Sequence, residues 1–301
     1  MVEPRDAATV MLVRDSPESP GGPDQSIGDQ GSIEVFMLRR NLRSAFVAGA
    51  YVFPGGAVDP DDRAAPALGL VEGLEAGAAD ALLGVASGAL GFWVAAIRES
   101  FEEAGVLLAR DAASGTTVEP DLVAHLAPAR PAVAAGEHSF ADLVRLHGLA
   151  LDAGALRVFA HWITPEPAPR RYDTWFFVAP APPGHAYEHD FDETVASEWV
   201  RPADALERAR RGEFELIYPT FRSLQAIGRF ASASALFDAV DAAWRGPAPA
   251  LRVMTPDQGW QVRLPGDGGD GGDGDDEGDA DAIAHSTTNR VRAGAAGRPV
   301  H

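Results

Sequence analysis

The chain has 301 residues, 46% of them hydrophobic, which suits one large domain or one domain with decorations. It contains no cysteine and no lysine, which excludes a thiol nucleophile, a thiolate metal site, a Walker-A lysine and a Schiff base. The net charge of −19 stays at −11 without the eight acids of segment 266–289, so a basic face for nucleic acid is not expected. From the N-terminus, residues 8–13 (ATVMLV) and 33–39 (IEVFMLR) read as strands by their apolar, β-branched content. The Pro, Gly, Ser and Asp residues of 16–32 make a long hairpin connection between them. Val52-Phe53-Pro54-Gly55-Gly56 is a strand end running into a tight glycine turn.

Residues 70–83 suit a helix, whereas 84–91 are weaker. The spacing of Trp93, Ala96, Ile97, Ser100, Phe101, Ala104 and Leu108 predicts a strong amphipathic helix over 92–108. Ser139 is placed to cap a helix over 140–149. Strands are expected at 156–163, 174–178 and 196–200. Pro202 suits the first turn of a helix over 203–211, and two closing helices follow at 221–229 and 231–245. The Gly/Asp-rich segment 265–301 cannot bury enough apolar area to offset its ordering entropy and is expected to be disordered. Strands both before and after the helices point to an α/β architecture with a mixed sheet, in a single domain over 1–264. No apolar run is long enough for a membrane span and the N-terminus lacks a signal-peptide pattern, so a cytoplasmic protein is expected.

The chemistry concentrates in Arg98-Glu99-Ser100-Phe101-Glu102-Glu103-Ala104-Gly105. On a helix, Glu99 meets Glu102 at i+3 and Glu103 at i+4, so three carboxylates share one stripe. Like charges at that spacing repel, and a hard divalent cation reverses the sign. Such a cation beside a phosphate neutralises charge and makes a nearby water more acidic. A solvated acidic face is the bland alternative. Against it stand Arg98, able to orient a carboxylate, the helix-breaking Gly105, and the upstream glycine turn, where backbone can approach a metal or a phosphate.

Together these residues resemble the Nudix box, G-x5-E-x7-R-E-U-x-E-E-x-G-U with U a bulky aliphatic. Gly56 stands at the first glycine, Asp62 at the first glutamate, and Arg98 to Val106 at the second half, with Ser100 in place of U. The box is split, because Asp62 to Arg98 exceeds the family spacing by about 28 residues. A split of this kind is similar to the peroxisomal coenzyme A diphosphatase-like Nudix branch. A coenzyme A signature, L-L-T-x-R-S-x3-R-x3-G-x3-F-P-G-G, also lies on this chain without gaps. Arg40, Gly49 and Phe53 to Gly56 match it, while Leu38, Asn41 and Ala45 depart from it. Arg39 or Arg43 is expected to substitute for the arginine missing at 45.

The resemblance implies a Nudix-type α/β/α sandwich with a mixed central sheet, a helical insertion over 63–91 inside the box, and extra C-terminal helices. It implies Mg²⁺ or Mn²⁺ held by Glu99, Glu102, Glu103 and Gly56, with Arg98 and Glu102 in the catalytic set. The general base comes from the box or from the later acids Glu188, Asp190, Asp192, Glu193 and Glu198, of which Glu193 is favoured. Arg40, Arg170 and Arg171 are expected to contact a small nucleotide substrate, with structural pairing of the last two to Asp173 as the alternative. Trp175, Phe176 and Phe177 fit the core better than a base-stacking platform. The implied activity is hydrolysis of a nucleoside diphosphate linked to another group, coenzyme A or acyl-CoA first. NADH or ADP-ribose, or a non-catalytic nucleotide-binding module, are the alternatives. The insertion would serve as a lid or as the surface of a homodimer.

Overall fold

A computed structural model describes residues 2–17, 33–42, 48–164, 166, 168–190 and 193–243. The acidic tail expected to be disordered, Arg43, Asp192, most of the 16–32 connection and the end of the last helix lie outside the described residues. Four strands open the fold: β1 (Arg5–Asp15), β2 (Ile33–Arg40), β3 (Tyr51–Val52) and β4 (Gly55–Ala57). Next come α1 (Pro60–Ala64), β5 (Val71–Glu72), α2 (Ala76–Leu83) and the central helix α3 (Leu90–Ala104). A second excursion contains β6 (Ala109–Asp111), α4 (Pro120–Leu126), α5 (Arg130–Ala134), α6 (Phe140–Leu146) and β7 (Leu149–Asp152). The chain closes through β8 (Arg157–Ile163), β9 (Tyr172–Pro180), β10 (Thr194–Val200), α7 (Pro202–Arg210), α8 (Tyr218–Ile227) and α9 (Ala233–Ala243).

The main sheet runs β10-β2-β1-β9-β8, with β3 paired to β2 and β4 to β1. It is mixed: β1 and β9 are parallel from Arg5↔Tyr172 to Val13↔Pro180, and the other pairs are antiparallel. Both faces are covered, which is why β1 is apolar from Ala7 to Val13, Thr9 apart, rather than alternating. Ala8, Val10, Leu12, Trp175 and Phe177 pack towards α3, with Trp93 and Phe101 beneath them. Met11, Val13, Phe176 and Val178 pack towards Phe221, Leu224, Leu236 and Val240 of α8 and α9. The result is a three-layer α/β/α sandwich. Trp175, Phe176 and Phe177 are buried at 6%, 5% and 0% exposure, as core residues should be. No helix among the described residues is long and apolar enough to cross a membrane.

The structure departs from the expected elements in several places. The helix expected over 92–108 ends at Ala104, and α4 and α5 fall where no element was expected. The stretch 70–83 is not one helix. Gly73 takes a φ of 81° and lies so close to Gly154 that a Cβ there would meet its amide nitrogen at 2.7 Å. Val71 and Glu72 instead pair in parallel with Leu151 and Asp152, giving a second sheet of order β5-β7-β6. The 63–91 insertion is therefore part helix and part strand, and Ala79 and Leu83 anchor it in the core. The helix expected over 140–149 stops at Leu146, because residues 149–152 belong to β7. Ser139 does cap it, its Oγ accepting the Asp142 amide at 3.3 Å.

Every residue of α3 is buried. The helix ends at Gly105, whose φ of 67° lies in the left-handed region. The Gly105 amide donates to Phe101 O at 3.1 Å, and the Val106 amide donates to Ser100 O at 3.0 Å. Ser100, unusual for its place in the box, has its hydroxyl 2.8 Å from the carbonyls of both Ile97 and Val106 and so ties the turn together. A Cβ at Gly105 would also sit 3.1 Å from Arg130 Nη1. Gly105→Ala is expected to lower unfolding free energy by about 1–2 kcal/mol. Gly77→Ala, inside α2 with nothing within 4 Å, should raise it by about 0.5–1 kcal/mol. Urea unfolding midpoints measure both.

Candidate active site

The second half of α3 carries Arg98, Glu99, Glu102 and Glu103 at 8%, 9%, 6% and 6% exposure, under the glycine strand β4. β4 can run this close only because Gly55 and Gly56 lack side chains. A Cβ on Gly56 would fall 2.2 Å from Glu99 Oε1, and one on Gly55 would fall 2.5 Å from Ala8 O. The Gly55 amide donates to Glu103 Oε2 at 2.9 Å. Glu99 and Glu103 thus stand side by side against the glycine turn, as the i, i+4 stripe requires.

Arg98 organises the other carboxylates. Its Nε and Nη2 donate to Asp62 Oδ1 and Oδ2 at 2.9 and 3.0 Å. Nη2 also donates to Ala57 O at 2.9 Å. Nη1 donates to Glu99 Oε1 at 2.9 Å and to Glu102 Oε2 at 3.1 Å. Asp62, 2% exposed, accepts the Asp59 amide at 2.8 Å as well. The residue at the first glutamate position of the split box therefore meets the box arginine in space despite the insertion between them.

One guanidinium does not neutralise four buried carboxylates. Burial, partly opposed by Arg98 and reinforced by Glu102, pushes the Glu99 carboxyl up to about 7. Burial also raises Glu102, against the pull of Arg98. Glu103 is held well above the usual carboxylate range by burial and by Glu99, with the Gly55 amide and Arg40 opposing. An oxygen-only donor set with uncompensated negative charge fits a hard divalent cation. Among the described residues, no three acidic or imidazole groups stand together as a finished metal cage. Glu99 and Glu102 lean on Arg98, while Glu103 turns to Gly55.

At the open end, Arg40 Nη2 lies 3.5 Å from Glu193 Oε2, and the Asn41 amide fixes the Glu193 carbonyl at 2.8 Å. Arg40 and Glu193 both act on Glu103 electrostatically, so the structure brings these three together. Arg40 Nε is buried with no hydrogen-bond partner among the described residues. Glu188 and Asp190 lie on the approach to β10, where Asp190 Oδ1 accepts the Thr194 amide and hydroxyl, both at 2.9 Å. Glu198 is paired with Arg208 at 2.7 Å. Arg39 lies over the Tyr51 ring.

Arg170 and Arg171 are not brought to the carboxylates. Arg170 is exposed. Arg171 donates to Thr164 O at 2.9 Å and Val2 O at 2.8 Å and pairs with Glu166 at 3.2 Å, which makes it a strut between the N-terminus and the β8–β9 turn. The Asp173 pairing considered for it goes to His161 instead. Sequence reading also missed Arg130, whose guanidinium donates to Glu102 O at 3.0 Å and to Glu188 O at 2.9 Å. Nothing in the motif pointed to it, because it lies in the second excursion.

The comparisons with known proteins bear on this arrangement. Residues 82–227 match the model of the NUDT19 Nudix domain. The chain is 32% identical to the acyl-coenzyme A diphosphatase NUDT19 of Gallus gallus, over 87% of this chain and 79% of that protein. It is 29% identical to the Homo sapiens protein of the same name, over 77% of this chain and 70% of that one. The crystal structure of a NUDIX hydrolase from Alicyclobacillus acidocaldarius covers 82% of this chain and 98% of its own, with a TM-score of 0.58 and 28% identity. With a relative 32% identical over most of both chains, and a Nudix domain model matching across the carboxylate helix, the protein belongs to the Nudix hydrolase family.

Proposed function

We propose that the protein is a Mg²⁺- or Mn²⁺-dependent diphosphatase that hydrolyses coenzyme A or acyl-CoA to 3′,5′-ADP and a phosphopantetheine. The observation that carries this reading is the uncompensated carboxylate stripe of α3 lying against the Gly55–Gly56 backbone. The relatives named as acyl-coenzyme A diphosphatases support the substrate class.

Glu99, Glu102 and Glu103, with the Gly56 backbone beside them, are the groups that would hold the cation. When bound, a divalent ion supplies Lewis-acid chemistry, neutralising diphosphate charge and making a nearby water more acidic. Arg98 stays protonated and keeps Glu99 and Glu102 in register with Asp62. Glu193, 65% exposed at its side chain and paired with Arg40, would take the proton of the attacking water as its oxygen bonds to phosphorus and the P–O–P anhydride opens. Arg40, with a buried unpartnered Nε, offers its guanidinium to a substrate phosphate.

Purified protein with Mg²⁺ or Mn²⁺ is expected to release 3′,5′-ADP from CoA esters, read by chromatography. Glu103→Gln should lower kcat by more than about 100-fold. Faster turnover of NADH or ADP-ribose would move the substrate assignment to dinucleotides, and no turnover of any CoA ester would overturn it.

A pH dependence follows from Glu99. Its carboxyl is raised in the fold, so its stabilising contribution is full below about 4.5 and is lost as pH rises through about 7. Binding of a divalent ion needs the ionised form and reverses the penalty. Mn²⁺ should therefore raise the unfolding temperature by several degrees at pH 8 and hardly at all at pH 5. Equal increments at both would remove Glu99 from the cation site.

A further inference from the structure

Helix α3 leaves the carbonyls of its last turn without intrahelical partners, as every helix does. Two groups from elsewhere in the chain take them. Arg130 at the start of α5 donates from Nε to Glu102 O at 3.0 Å, and the Glu188 amide donates to Ala104 O at 3.1 Å. The same guanidinium, through Nη2, holds the Glu188 carbonyl at 2.9 Å. A cation at a helix C-terminus is favoured by the helix dipole. Arg130 makes no ion pair among the described residues, although Asp190, Glu188 and Glu103 all favour its charge electrostatically. It is pressed against Gly105, where any Cβ would crowd Nη1.

We propose that Arg130 is a positioning residue that locks residues 188–190, and through Thr194 the neighbouring Glu193, to the carboxylate helix. The link runs from Glu102 through Arg130 to Glu188. It continues through Asp190, whose carboxylate holds the Thr194 amide, and reaches Glu193 at the edge of β10, where the Asn41 amide fixes it. Arg130 acts on the reaction through these contacts and touches neither substrate nor cation. Its kinetic consequence rests on the proposed diphosphatase reading; its structural consequence does not.

The test uses the full chain and its Arg130→Ala, Arg130→Gln and Arg130→Lys variants. Hydrogen–deuterium exchange should rise by more than about tenfold in 185–194 in all three, with β1 as the internal reference unchanged. A lysine ammonium lacks the planar fork that spans both carbonyls, so Arg130→Lys should not restore protection. For CoA ester hydrolysis, kcat should fall about 10–100-fold with KM within about twofold. Unchanged exchange in 185–194 overturns the proposal. So does acceleration spread equally over β1, which marks general destabilisation, or full rescue by lysine. A raised KM at constant kcat also overturns it and makes Arg130 a substrate contact. If the unmodified protein hydrolyses no CoA ester, the substrate reading fails alone, and the exchange experiment still decides the role of Arg130.

Discussion

The guanidinium of Arg98 is the hub on which the functional half of this molecule turns. It joins a carboxylate from α1, two from its own helix and a carbonyl from the strand above, all out of water. A buried ion cluster of this type is seldom a net source of stability, because each charge has lost its hydration. Here it is less favourable still, since Glu103 is buried beside Glu99, with its carboxylate accepting the Gly55 amide. The protein tolerates that arrangement inside a helix whose remaining positions, Ser100 apart, are apolar and buried, with Trp93 against Phe177 and Phe101 against Phe140. Strain of this kind, kept where a better-packed apolar surface was attainable, is typical of a site retained for chemistry.

The geometry also explains why the split box works. The chain leaves the site at Asp62 and returns at Leu90, and closing a longer loop costs little extra entropy. What matters is that both ends are pinned. Asp62 is pinned by Arg98 and by the Asp59 amide; the return is pinned by Ala79 and Leu83 in the core and by the Asp80 carboxylate on the Ala89 amide. The pairing between the aspartate and the arginine therefore survives the interruption of the motif between them.

Much of the carboxylate site was legible beforehand. A helix announces its faces by a 3.6-residue period, so Glu99, Glu102 and Glu103 could be placed on one stripe without coordinates, and Gly105 and Pro202 marked real helix boundaries. The five longer strands of the main sheet, β1, β2, β8, β9 and β10, were readable because each carries an apolar, β-branched run. The small second sheet was not, since strands of two to four residues carry no period. Side-chain direction was the other blind spot. Arg171 precedes a strand, but only the fold reveals that it points at Val2 and Thr164. Arg130 belongs to the same class: its partners are main-chain carbonyls, which leave no signature in side-chain patterns.

The parallel pairing of β5 with β7 has a bearing on how this chain can be altered. β5 comes from the excursion inside the box and β7 from the one after α3, yet each supplies the other's main-chain partners. Trimming either excursion alone would strip a neighbour of its hydrogen bonds and expose a raw strand edge, an invitation to self-association. The two detours behave as a single interlaced accessory module, to be kept, transplanted or removed as a unit.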